Sequence, residues 1–236
     1  MKTNKNLISL FIFLLILLAG CEKEENDKDK EKEFEFDFST GYDGWIGGFS
    51  DHADTSTADY NLEFIRTRLP APLDTTKMAL KIGGTNRSDD LFMFIKRKFA
   101  GLEPNENYEI EFEIQFASNV PTNQIGVGGP PDAVMLKAGA VLYEPLSILN
   151  TTEGIYRMNI DHGLQMNEGK DMINLGTIGV SDTTTQYTLV TKKNKSKPFK
   201  IKTNSSGELW VIIGTDSGFE SRTELYYNKI KIKFDD

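Results

Sequence analysis

The chain has 236 residues, a formal net charge of −8 and a single cysteine. That length supplies one substantial core without requiring a second domain. The acidic balance repels phosphate backbones and speaks against nucleic acid as a partner, and one cysteine leaves no intrachain disulfide and no thiolate metal cluster.

The first element is a basic start (Lys2, Lys5) followed by an apolar run from Leu7 to Leu18 and then Leu18-Ala19-Gly20-Cys21. The run falls short of the roughly 20 apolar residues that a membrane-spanning helix needs, and it has the form of a secretion signal. Its ending resembles the lipobox of bacterial lipoproteins. The resemblance implies removal of residues 1–20, lipidation of the Cys21 thiol, and the lipid bilayer as a partner, with the protein anchored at the outer membrane, on the cell surface or its periplasmic face. Residues 21–33 are then a charged linker: nearly every side chain from Glu22 to Glu33 is ionic, with nothing apolar to bury. An acidic stretch behind a lipidated cysteine also resembles the surface-export signal of Bacteroidetes lipoproteins, and a plain periplasmic spacer is the other reading.

From residue 34 to 236 the hydrophobic period is two. Phe34, Phe36 and Phe38 alternate with Glu35 and Asp37. Tyr108, Ile110, Phe112, Ile114 and Phe116 alternate with Glu109, Glu111, Glu113 and Gln115. Ile230, Ile232 and Phe234 alternate with Lys229, Lys231 and Lys233. Further strands are expected at Leu62–Leu69, Met78–Ile82, Leu91–Phe99, Val134–Leu142, Met172–Val180, Gln186–Thr191, Phe199–Thr203 and Leu209–Thr215, punctuated by Gly, Pro, Asn and Ser clusters. Such a chain is all-β, a two-sheet antiparallel β-sandwich of jelly-roll type. Ser118–Ala133 and Leu142–Asp171 read as long loops, where a rigid sandwich carries recognition residues. The unlike charges on Glu33, Glu35 and Asp37 and on Lys229, Lys231 and Lys233 predict that the first strand pairs antiparallel with the last. The acidic Tyr108–Phe116 strand is a rival or additional partner for the lysines.

Four stretches stand out from the alternation: Gly44–Asp51, Gly83–Phe94, Val134–Ala140 taken with Asn159–Gly163, and Leu209–Phe219. Together they resemble an uncharacterised family of secreted bacterial proteins, which implies the fold and no activity. The last strand pattern is loosely similar to that of jelly-roll carbohydrate-binding modules, which implies a glycan ligand. In that reading Trp45, Asn86, Arg87, Asp89, Asp90, Asn159 and Asp161 are the ligand-binding residues. An indole stacks on a sugar's apolar face, while carboxylates, amides and guanidinium offer paired donors and acceptors. A convergence of Arg87, Asp89, Asp90 and Asp161 on one polar pocket is expected. The bland alternative has Arg87 pairing with Asp90 or Asp216 to pin a loop.

No cofactor is implied, although Asp43 and Asp51, with Asp54 and Asp59, make the first loops oxygen-rich enough for a structural calcium. His52 and His162 are the only histidines and lack zinc spacing. Catalysis is left open: Asp89, Asp90, Asp161 and Glu220 could supply an acid–base pair for polysaccharide hydrolysis, which needs two carboxyls about 5–10 Å apart. The leading expectation is a membrane-anchored glycan-binding lipoprotein without chemistry of its own. A polysaccharide hydrolase and a structural or adhesive surface protein are the alternatives.

Overall fold

The structure is a computed structural model and describes residues 31–55, 57–181 and 185–236. Cys21 and the signal that precedes it lie outside the described residues. The strands, in chain order, are β1 (Lys32–Phe36), β2 (Ile46–Ser50), β3 (Glu63–Arg68), β4 (Met78–Thr85), β5 (Phe92–Phe99), β6 (Asn107–Ser118) and β7 (Val134–Val141). There follow β8 (Ser147–Asn150), β9 (Ile155–Met158), β10 (Met172–Thr177), β11 (Thr188–Lys193), β12 (Phe199–Lys202), β13 (Leu209–Ser217) and β14 (Arg222–Asp235). One turn of 3-10 helix, Thr57–Tyr60, interrupts them.

Two antiparallel sheets face each other, so the protein is an all-β sandwich. The first sheet runs β11-β6-β14-β4-β3, with β1 extending the β4 side of β14 and β12 pairing with β6. The second runs β10-β7-β13-β5-β2. Alternation places Tyr108, Ile110, Phe112, Ile114, Phe116, Ile230, Ile232 and Phe234 of the first sheet against Met93, Ile95, Leu136, Val211 and Ile213 of the second, all buried in one core.

The terminal strands pair as their charges predict. β1 runs antiparallel to β14 with Glu33 opposite Lys233 and Glu35 opposite Lys231. The ion pairs run one step diagonally, Lys231 to Glu33 at 2.8 Å and Lys229 to Glu35 at 2.7 Å. Long side chains reach such diagonal neighbours easily. On its other side the lysine strand pairs with β6, Lys231 opposite Glu113 and Lys233 opposite Glu111. It therefore lies between both acidic strands.

Some boundaries differ from expectation. The first strand takes in Lys32 and Glu33, which the composition assigned to the linker, and ends at Phe36. Phe38 turns into the core with φ +60°, and Asp37 accepts bonds from Ser39. The tenth strand stops at Thr177 after an irregularity between Asn174 and Gly176.

The segment between β7 and β10 is not a free loop. Its β8–β9 hairpin and the turn that follows lie across the outer face of the second sheet. Ile160 packs there with Phe92, Phe94, Val141, Met172 and Ile212 in a second, smaller core. Gly139 of β7 makes room for this strap, since a Cβ at that position would sit 1.9 Å from the Asp171 carbonyl oxygen.

Candidate functional site

Under the strap the four marked stretches meet. Alternation on β7 and β13 aims Lys137 and Asp216 away from the main core, and the strap covers both completely. Lys137 Nζ donates to Asp216 Oδ2 at 2.8 Å and to the carbonyl oxygens of His162 and Asn167. All three ammonium hydrogens are thereby used. His162 stacks on Phe92 with ring centroids 4.2 Å apart. Its Nε2 lies 3.2 Å from Asp51 Oδ2 and its Nδ1 lies 3.4 Å from Asp216 Oδ2. Arg157 of β9 donates to Asp51 Oδ1 at 2.9 Å.

These charges set one another's protonation. Burial pushes the His162 imidazolium down, but Asp216 and Asp51 on either side raise it further, to about 9. Asp90, half-buried, is pushed up to about 7, chiefly by burial and then by the Asp216 and Asp51 carboxylates. Its Oδ1 is buried without a hydrogen-bond partner among the described residues. Three cations therefore surround two carboxylates and a third that takes up a proton near neutrality. Lys137 and Asp216 are sealed from solvent, Arg157 at the margin stays 44 % exposed, and the network fastens the strap.

The predicted ligand residues separate accordingly. Trp45 is 2 % exposed, its ring set edge-on against Phe36 at 5.7 Å. It is a core residue and offers no face to a sugar. Asn86 is buried as well: its amide donates to the Ser217 carbonyl and accepts from Ser88 and Leu91, shaping the turn before β5. Arg87 is exposed and pairs with neither Asp90 nor Asp216, because Asp216 is held by Lys137. Asp89 is exposed at φ +63°, its carbonyl receiving Gln165. Asp161 accepts from the Gly163 and Lys170 backbones, which lowers its pKa and closes the strap's turn. So Asp90 joins the network, Arg87 and Asp89 are exposed, and Asp161 serves the strap's own turn.

Asp51 is committed to Arg157 and His162, and Asp43 lies near Arg97 instead. Among the described residues no group of three or more carboxylates or histidines is arranged to hold a metal ion.

Asn159 leads to a different place. Its side chain holds the turn after β7, accepting from Leu146 N and donating to Glu144 O. Within that turn Tyr143 donates its hydroxyl to the Asn159 carbonyl at 3.4 Å, while the residue remains 51 % exposed. Tyr143 stands over a groove of about 400 Å³ between the edges of the two sheets, walled by Val141, Phe199 and Ile201 and rimmed by Lys170, Lys200 and Lys202. The groove follows the edge of β12, which pairs with β6. Tyr143 falls within the Leu142–Asp171 segment expected to carry recognition residues, but outside the four marked stretches, so the sequence points to its segment and not to the residue.

No family model and no curated protein matches the chain. Solved structures similar to it include a carbohydrate-binding module described for specific mannan recognition, at 16 % identity and TM-score 0.41, over 86 % of this chain and 98 % of that one. A family 11 carbohydrate-binding module of a Clostridium thermocellum cellulase matches at 10 % identity and TM-score 0.40, over 85 % of this chain and 94 % of that one. A xylan-binding domain matches at 12 % identity and TM-score 0.37, over 86 % and 92 % respectively. The sandwich assignment itself rests on the strand ladders described above.

Proposed function

We propose that the chain is a lipid-anchored glycan-binding domain with no chemistry of its own. The observation that carries this reading is the groove beside Tyr143: an open trough at a sheet edge, floored by apolar side chains and fitted with one exposed, positioned aromatic ring. Sugar rings have apolar faces and polar rims, and a tyrosine face with neighbouring donors satisfies both. Hydrolysis needs two carboxyls facing one open cleft. Here the most perturbed carboxyl, Asp90, adjoins a network whose Lys137–Asp216 pair is sealed beneath the strap.

The anchoring half of the proposal rests on the lipobox-like Leu18–Cys21 and on the charged stretch behind it. Detergent-solubilised full-length protein should bind polysaccharides on a glycan array, release no new reducing ends, and lose binding in Tyr143→Ala. Absence of binding across the array would overturn glycan recognition in favour of a structural or adhesive role. Radiolabelled palmitate should enter the wild type and not Cys21→Ser.

A further inference from the structure

We infer that the Tyr143 groove selects anionic sugar rings, those bearing a carboxylate or a sulfate. The inference rests on glycan binding at that groove and adds the class of glycan.

The argument begins with charge. The chain carries 35 acidic against 27 basic side chains, so lysines readily find partners. Lys81, Lys96, Lys137 and Lys231 each sit within 3.0 Å of a carboxylate oxygen. Lys170 and Lys202, on the rim of the groove, have no carboxylate partner among the described residues. Lys200 reaches Glu109 at 2.6 Å and is largely exposed. The single acid in the lining, Asp171, has its Oδ2 turned to the Asp161 backbone N–H. Of the three rim lysines, Lys200 thus has a carboxylate partner, while Lys170 and Lys202 have none among the described residues.

Placement narrows the ligand further. Lys170 comes from the strap and Lys202 from β12, while Tyr143 belongs to the turn after β7. The cations approach from different elements around an aromatic ring that its own hydroxyl bond holds in place. An ammonium on a flexible stem suits a point anion carried on a stacked ring. The depression that adjoins the groove shares Lys200, Ile201 and Lys202 with it and adds Glu109, Asp235 and Asp236. Those carboxylates repel a polyanion and confine it to the Tyr143 side.

The test uses full-length protein in detergent and four probes: polygalacturonate, dextran sulfate, neutral galactan and dextran. Both anionic polymers should bind more tightly than their neutral counterparts, and the advantage should shrink as salt rises. Lys170→Gln and Lys202→Gln should each weaken anionic binding by about two- to fivefold, the range of an exposed ion pair. Lys229→Gln, on the outer face of the first sheet, should leave it unchanged. Binding of only one anionic polymer would name the substituent and support the inference. Equal binding of neutral and anionic polymers would overturn it while leaving glycan recognition intact. Loss of affinity in Lys229→Gln equal to that in Lys170→Gln would also overturn it, by exposing a nonspecific charge effect. Failure of all four probes, with none bound on a wider array, would remove the parent reading instead.

Discussion

The two sheets turn outer faces of opposite character to their surroundings, although both are laced with the same residue types. On the first sheet, Lys229, Lys231 and Lys233 run between Glu-bearing strands, and Lys81 bridges Glu63 and Glu224. Most of these side chains remain a quarter to a half exposed. On the second sheet, Lys137, Asp216, Asp51 and His162 are closed in by the strap. Solvent makes the first set nearly free to rearrange, and each pair contributes only about 0–1 kcal/mol. Removing solvent raises both the desolvation cost and the penalty for losing a partner. Charge on one face therefore selects a strand register, and charge on the other holds a chain segment in place.

The largest effect expected from this contrast is at Lys137. Lys137→Met takes the ammonium from buried Asp216 and leaves it only the His162 imidazolium, 3.4 Å away, so urea unfolding should show a loss approaching about 3–5 kcal/mol. Joint replacement, Lys137→Met with Asp216→Leu, should recover part of that loss, because the buried pair is then apolar and His162 keeps Asp51 as its partner. A silent single variant would break the comparison.

The next effect is on pH dependence. His162 has its folded pKa raised from 6.5 to about 9, so the folded state holds its proton more tightly than the unfolded chain does. Its contribution is complete below about pH 6.5 and is lost as pH rises towards about 9. Asp90 is also raised, from 3.8 to about 7, so its ionisation costs stability over that lower window. Thermal unfolding should therefore occur at progressively lower temperature from neutral to alkaline pH. His162→Gln should flatten that decline, and an unchanged slope in the variant would place its origin elsewhere.

The smallest effect belongs to the exposed face. Lys231→Glu should cost no more than about 1 kcal/mol, and the cost should fade in high salt. Adding Glu33→Lys should restore part of it through the Lys231–Glu33 contact. A cost as large as that of Lys137→Met would erase the distinction between the two faces.

How much of this was legible follows the same division. A strand with one wet face writes its geometry as alternation, so β6 and β14 could be oriented from sequence and the terminal pairing read from charge. The strap was hidden because β8 and β9 are four-residue strands without strict alternation. They pack over a sheet whose outer face is itself apolar. That face left a trace: β7, β13 and the first half of β5, Phe92 to Ile95, read as nearly continuous apolar runs, which marks strands covered on both sides. Lys137 inside Val134–Val141 and Asp216 at the end of Leu209–Thr215 were lone charges in such runs, the signature of a buried pair. Trp45 misled because its flanking glycines suggest a loop, whereas the ring folds back beneath Phe36. Asn86 and Asn159 are marked as ligand residues for their amides; the Asn86 oxygen braces its own turn while its nitrogen reaches Ser217, and the Asn159 amide braces the turn after β7.

The pairing of β1 with β14 also has a mechanical consequence. Under the anchoring proposed above, a load applied ahead of Lys32 along the axis of β1 would run alongside the neighbouring strand β14. The register bonds from Lys32 to Phe36 are then loaded together in shear, where peeling would open them singly. The pull passes directly to β14, the fourteen-residue strand that β4 and β6 clasp from either side. In the anchored, glycan-binding form proposed above, drag entering at the groove beside β12 would pass through β6 and β14 before it reached β1.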